Sequence, residues 1–125
     1  MIDHVTLQVT HVPSSMEFYE ALLAPLRMRL DFDDGTVVGF FGPDTDTGSL
    51  WLCPAERSED RELHLAFVAA DRGVVRAFHE AAVAMGAEIL HAPRVFPEYG
   101  EHYFGAFVRD PDGHNIEAVC RRAEG

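Results

Sequence analysis

The sequence predicts an α+β fold made of two copies of a βαβββ unit. Three observations indicate this fold class: a strand pattern that recurs 60 positions later, one amphipathic helix pattern after each copy of that strand, and three further strand patterns after each helix. The chain has 125 residues, of which 47% are hydrophobic and 25% charged. This composition is typical of a folded protein of single-domain size.

The repeat is clearest in its opening strand. Residues 2–9 align with residues 62–69, and the apolar residues at 5, 7 and 9 match those at 65, 67 and 69. Apolar residues at every second position line one face of a strand. Both segments are therefore predicted to be strands with one face packed on a core.

A helix is predicted after each of these strands. In the first copy Ser14 or Ser15 is the expected N-cap, and apolar residues recur at helical spacing until Pro25 limits the segment. In the second copy Asp71 is the expected N-cap and Gly86 closes the helix. The apolar stripes of both helices are interpreted as core packing.

Three strands are predicted after each helix, and turn residues separate them. Aligning the last strands on Cys53 and Cys120 gives an offset of 67 and places about seven extra residues of the second copy in a loop over 93–102. The modules, 1–57 and 58–125, are expected to form one domain. The predicted strands cover about residues 28–32, 36–41, 49–53, 88–91, 103–108 and 114–120.

Charge and composition exclude several classes of function. Ten Lys and Arg against 21 Asp and Glu give a net charge of −11, which repels nucleic acid and anionic membrane surfaces. No apolar run is long enough to span a bilayer, and the opening residues do not resemble a secretory signal. Two cysteines without C-x-x-C spacing are expected to be reduced. We therefore expect a cytoplasmic protein.

Strand alternation predicts a cluster of polar side chains. If the apolar residues of the first strand face the helix, His4 faces the other way, and His64 does the same at the equivalent position of the second copy. In the last strand Glu117 lies on that face, opposite the apolar set. Two imidazoles and one carboxylate suit a divalent transition ion, such as Fe, Mn, Ni or Zn, with open positions for substrate.

A single histidine on a strand is ordinarily a surface or core residue. Here the repeat places two histidines at one position, and a charge on a strand that is otherwise apolar is costly unless it is paired. We therefore favour a metal site formed by His4, His64 and Glu117.

The sequence resembles the vicinal oxygen chelate superfamily over essentially its whole length. The resemblance rests on the paired modules, on Ile2-Asp3-His4-Val5, and on the stretch from Gly105 through Asp110-Pro111-Asp112-Gly113 to Ile116-Glu117. The superfamily includes glyoxalase I, fosfomycin-resistance transferases, extradiol dioxygenases and bleomycin-binding proteins. The resemblance implies that a metal ion on His4, His64 and Glu117 grips two neighbouring oxygens of a small-molecule substrate.

One position departs from the glyoxalase I pattern. That enzyme has a further Glu ligand on the last strand of its first module, and the alignment on Cys53 puts Leu50 there, with Trp51 and Leu52 beside it. Two His and one Glu instead resemble the fosfomycin-transferase and extradiol-dioxygenase pattern. A lyase, transferase or dioxygenase activity is therefore expected.

The predicted loop supplies candidates for proton transfer. Tyr99, His102 and Tyr103 lie in or next to residues 93–102, and loops on a rigid scaffold commonly carry such groups. The alternative function is a metal-free protein that sequesters a small molecule, as bleomycin-binding relatives do. In either case we expect a homodimer, with site residues drawn from one chain or from both.

Overall fold

The computed structural model describes residues 2–44, 48–55 and 63–123. The chain divides into two compact units, residues 1–61 and 62–125. Each unit contains one strand, one α-helix and three further strands in that order. This element order confirms the predicted α+β class with two βαβββ modules.

In the first unit the strands form one mixed four-stranded sheet. Strand β1 (His4–Val9) pairs in parallel with β4 (Ser49–Pro54), and β3 (Val38–Phe41) lies antiparallel between β4 and β2 (Arg29–Asp33). Helix α1 (Val12–Leu23) packs on the sheet and is followed by a 3₁₀ turn at Ala24–Leu26. The core contains Leu7, Val9, Tyr19, Leu22, Leu23, Phe40, Leu50 and Leu52.

The second unit repeats this arrangement. Strand β5 (His64–Val68) pairs in parallel with β8 (Asn115–Cys120), and β7 (Phe104–Arg109) lies antiparallel between β8 and β6 (Ile89–Val95). Helix α2 (Arg72–Ala84) packs against β6, β7 and β8. The buried face of the sheet includes Val108, Ile116 and Ala118, which lie with Val75, Phe78 and Ala82 of the helix in the core.

The predicted start of α1 is wrong by three or four residues. His11, rather than Ser14 or Ser15, is the N-cap: its backbone is extended and its Nδ1 accepts the Ser14 N–H at 3.3 Å. Pro13 occupies the first turn, where a missing N–H costs no helical hydrogen bond. For α2 the prediction is confirmed, since the Asp71 carboxylate caps the helix and Gly86, at φ 73°, follows its end.

The predicted loop over 93–102 is also partly wrong. Strand β6 continues to Val95, because irregular pairing with β7 absorbs extra residues between Ile89 and Arg94. The connection from β6 to β7 is residues 96–103, which we call the strap. The Phe96 N–H donates to the Tyr103 carbonyl at 2.8 Å and closes the strap at its base.

A tight turn fixes the start of β8. The Asp110 carboxylate accepts the backbone N–H groups of Asp112 and His114 at 2.9 and 2.8 Å, and Gly113 has a φ of 87°. His114 Nδ1 accepts the Leu63 N–H at 3.0 Å, which ties the turn to the entry of β5. Strands β5 and β8 therefore start in a fixed register.

Two further expectations from the sequence concern membrane-spanning segments and the cysteines. No helix in the described part of the chain is long and apolar enough to cross a membrane. Cys53 and Cys120 are both free thiols, as expected.

Replacing the cap of α1 tests its contribution to stability. We expect His11→Ala to lower the free energy of unfolding by about 1 kcal/mol, because the Ser14 N–H loses its acceptor, while His11→Asp retains an acceptor and keeps the stability. Urea denaturation followed by circular dichroism measures both. An alanine variant as stable as the parent would contradict this assignment of the cap.

Candidate active site

The site is built on two adjacent parallel strands of the second unit. On β5, His64 faces away from the helix, and on β8, Glu117 lies on the same face. The register pairs Ala66 with Glu117 and His64 with Asn115, so the histidine and the glutamate are diagonal neighbours. Their atoms Nε2 and Oε1 are 2.9 Å apart.

The Glu117 carboxylate is almost completely buried. Its residue is 1% exposed, whereas the His64 side chain is 54% exposed. A buried carboxylate without partners is strongly destabilising. Here each oxygen has one: Oε1 faces His64 Nε2, and Oε2 accepts a hydrogen bond from the Tyr103 hydroxyl. The imidazole connects this buried acid to the surface.

Tyr103 stands at the end of the strap, immediately before β7. Burial raises the pKa of its hydroxyl above the ordinary value, and the hydrogen bond to Glu117 raises it further. The neutral hydroxyl is thus maintained as a donor to the carboxylate.

Gly105 leaves the space that this contact needs. A Cβ at that position would lie 3.3 Å from Glu117 Oε2 and 3.3 Å from Tyr103 Cε1. Both neighbours would have to move to admit a methyl group. Sequence reasoning did not single out Gly105, although its place two residues after Tyr103 on one strand was a usable signal.

Aromatic rings surround the acid. Phe107 pairs directly with Glu117 across β7 and β8, and its ring meets the rings of His64 and His91 edge to face at 5.8 and 5.3 Å. Phe96 of the strap packs against Phe107 and Tyr103. These contacts restrict the motion of the side chains around the carboxylate.

The structure brings three of the six predicted site residues into direct contact: His64, Glu117 and Tyr103. Tyr99 is 58% exposed and touches Tyr103 only through their rings, whose centroids are 5.4 Å apart. His102 is exposed and lies 3.9 Å from the carboxylate of its neighbour Glu101. The roles of Tyr99, His102 and Tyr103 in proton transfer stay predictions.

His4 belongs to the first unit. It is exposed on β1, and its Nδ1 lies 2.9 Å from Asp3 Oδ1. Within residues 2–44, 48–55 and 63–123, no three His, Cys, Asp or Glu side chains form a group that could hold a metal ion. The convergence of His4 with His64 and Glu117 therefore remains a prediction.

Comparison with known proteins identifies the family. The family model described as the Glyoxalase/Bleomycin resistance protein/Dioxygenase superfamily matches residues 1–118. The chain belongs to this superfamily. No functionally curated protein matches the sequence.

Solved structures of the superfamily share the fold. A glyoxalase/bleomycin resistance protein from Albidiferax ferrireducens is 27% identical with a TM-score of 0.81, covering 97% of this chain and 99% of its own. A lactoylglutathione lyase from Agrobacterium tumefaciens is 17% identical with a TM-score of 0.70, covering 96% and 92%. A glyoxylase/bleomycin resistance protein/dioxygenase domain from Frankia is 19% identical with a TM-score of 0.72, covering 98% of each chain. The last two likenesses show the fold alone.

Within this superfamily fold, the two modules differ at the position of the acid. His4 pairs with Ser49 and His64 with Asn115, so the last strands are related by 66 positions rather than the 67 predicted from the cysteines. The first-module counterpart of Glu117 is consequently Trp51, not Leu50. The alignment on Cys53 and Cys120 is wrong because pairing with the first strand, not the recurrence of a residue type, sets the register.

Trp51 can occupy that position because its partner on β3, Gly39, has no side chain. Its ring lies against Gly39, where a Cβ would meet it at 2.8 Å, and it packs with Phe32 and Phe41. The indole N–H donates to Ser49 Oγ at 3.0 Å. The first module therefore presents an aromatic surface where the second presents an acid.

The contact between Gly39 and Trp51 gives a direct test of this packing. We expect Gly39→Ala to destabilise the protein by about 1–3 kcal/mol and to shift the emission of its single tryptophan, because the ring must move. Combining it with Trp51→Leu removes the clash, so the effects of the two substitutions should not add. Additive changes in unfolding free energy would contradict the contact.

The environment of Tyr103 predicts its ionisation. We expect absorbance titration to show Tyr103 losing its proton only at distinctly higher pH than an ordinary tyrosine, because burial and the hydrogen bond to Glu117 disfavour the phenolate. The difference between the titrations of the parent and of Tyr103→Phe isolates the signal of this residue. A midpoint near pH 10 in that difference would contradict the buried donor.

Proposed function

We propose that the protein is a divalent-metal enzyme that binds neighbouring oxygens of a small-molecule substrate, with a lyase, transferase or dioxygenase reaction. The observation that carries the proposal is the pairing of His64 Nε2 with Glu117 Oε1, at 2.9 Å, on one face of the second sheet. Membership of the superfamily supports it.

The donor set fits a metal ion. An imidazole nitrogen and a carboxylate oxygen are ligands that suit Fe, Mn, Ni and Zn. The atoms Nε2 of His64 and Oε1 of Glu117 are 2.9 Å apart, so both would be within reach of one ion. His4, from this chain or from a second copy of it, is the proposed third donor.

Each residue has a distinct task in this proposal. A bound ion would supply Lewis-acid stabilisation of negative charge on substrate oxygens. His64 and Glu117 would hold it, and the hydrogen bond from Tyr103 would orient the carboxylate toward it. Since the Tyr103 hydroxyl is already committed to Glu117, Tyr99 and His102 are left to contact substrate and to move a proton.

Metal content tests the proposal. Protein purified without chelator should contain about one equivalent of a divalent ion, and added Mn, Fe, Ni or Zn should raise its thermal stability, because a ligand that binds only the folded state stabilises that state. Less than about a tenth of an equivalent, together with no thermal stabilisation by any of the four ions, would contradict it.

Substitutions assign the ligands. We expect Glu117→Gln and His64→Gln each to weaken metal binding more than the roughly 10- to 100-fold that loss of an outer hydrogen bond costs. Glu20→Gln on α1 and His79→Gln on α2 are the matched controls and should bind as the parent does. Calorimetric titration with Mn or Zn measures the affinities, and circular dichroism checks folding.

The same variants separate the metal enzyme from the alternative function. If His4→Ala and Glu117→Ala leave metal binding and stability unchanged, the metal proposal fails and a metal-free binding protein becomes the better description. The aromatic residues around Phe107 would then be the expected ligand-binding surface.

A further inference from the structure

The two oxygens of Glu117 have different surroundings. Oε1 faces the half-exposed His64, whereas Oε2 accepts the hydrogen bond of Tyr103 on the side of Gly105. A carboxylate with both oxygens equally open could bind an ion through either or both. This one offers only Oε1 on the side of the imidazole.

Tyr103 is held firmly in its place. Its carbonyl accepts the Phe96 N–H at 2.8 Å, and its ring meets those of Phe96 and Tyr99 at 6.2 and 5.4 Å. The Arg121 guanidinium lies over the ring, 4.9 Å from its centroid. With the ring held by these neighbours, the hydroxyl has little freedom to leave the carboxylate.

Gly105 is the second residue on which the hydrogen bond between Tyr103 and Glu117 depends. Its missing side chain is what lets Glu117 Oε2 and the Tyr103 ring approach the β7 backbone, since a Cβ would be 3.3 Å from each. Such distances force the neighbours to shift by a few tenths of an ångström. Glycine at this position of β7 therefore makes room for the hydrogen bond between Tyr103 and Glu117.

We infer that Tyr103, seated against Gly105, is a positioning residue that restricts Glu117 to binding a metal ion through Oε1 alone. The inference rests on the proposed metal-binding function. It concerns selectivity among ions rather than the existence of the site.

One-oxygen binding disfavours large ions. Ca²⁺ takes six to eight oxygen ligands and often uses both oxygens of a carboxylate, whereas Mn²⁺ ordinarily takes six ligand atoms and Zn²⁺ four. Releasing Oε2 from Tyr103 should therefore relax the preference against Ca²⁺. It should also weaken binding of the smaller ions, because the carboxylate is no longer oriented.

The test compares Mn²⁺ and Ca²⁺ affinities of the full chain by calorimetric titration. We expect Tyr103→Phe to bind Mn²⁺ about 10- to 100-fold more weakly and to lower the ratio of Mn²⁺ to Ca²⁺ affinity by at least about tenfold. Gly105→Ala should change the ratio in the same direction. Tyr99→Phe, which removes a neighbouring hydroxyl that is not bonded to Glu117, is the matched control and should leave both affinities unchanged.

A spectroscopic measurement separates positioning from general damage. The visible absorption of bound Co²⁺ responds to its coordination, so Tyr103→Phe should alter that spectrum while circular dichroism and Trp51 fluorescence stay those of the parent. A variant that is less stable but keeps the parental Co²⁺ spectrum and affinity ratio overturns the inference.

The failures of the two proposals are distinguishable. If the parent binds Mn²⁺, Glu117→Gln abolishes that binding, and Tyr103→Phe matches the parent in affinity and ratio, only the positioning role falls. If the parent binds none of these ions, both the proposed function and the positioning role are overturned.

Discussion

The burial of the Glu117 carboxylate is the constraint around which the second unit is arranged. Desolvating a carboxylate is costly, and the cost is tolerable only when both oxygens are satisfied. Strand β5 supplies His64 to one oxygen, and the strap supplies Tyr103 to the other. The turn at Asp110 sets where β8 begins, and so fixes the place of the acid between them. The imidazole is half exposed while the acid is buried, so His64 is the side chain through which this pair meets the surface.

Comparison of the two modules shows how a duplicated sheet acquires different surfaces. In each sheet one row crosses all four strands: Phe32, Gly39, Trp51 and Thr6 in the first, and His91, Phe107, Glu117 and Ala66 in the second. Where the last strand has a large ring, the neighbouring strand has glycine, and where it has an acid, the neighbour has phenylalanine. When a side chain on one strand changes in size, its neighbour on the adjacent strand changes in the opposite direction, so the row stays filled. The same backbone thereby carries an aromatic surface in one module and a buried acid in the other.

Much of the fold was predictable from local patterns, and the errors have two physical origins. Period-two alternation correctly placed the first strands and the face of Glu117, and the Asp71 cap and Gly86 closure follow from local backbone chemistry. The errors at β6 and in the cysteine alignment concern register, which depends on pairing between distant segments that composition and periodicity do not contain. The error at His11 is local: the imidazole accepts an N–H only three residues away, but histidine is not among the usual N-cap residues.

The sequence alone could not show that Tyr103 is the partner of Glu117, because this contact also depends on strand pairing. Tyr103 was a candidate because it lies beside a loop, but its bond to an acid 14 residues away depends on how β7 pairs with β8. In that register Phe104 opposes Cys120, so Tyr103 stands just beyond the paired residues and its side chain is free to reach back over Gly105.

The asymmetry between the modules follows from chain length. Phe32 and Gly39 are seven positions apart, whereas their counterparts His91 and Phe107 are 16 apart. The longer connection of the second module contains the strap, and with it Phe96, Tyr99 and Tyr103. In the first module the short turn, where the Asp34 carboxylate accepts the Thr36 and Val37 N–H groups, has no room for such residues. A second buried acid at the position of Trp51 would therefore lack the hydroxyl that satisfies Glu117, so the module with the strap is the one in which a buried carboxylate is stable.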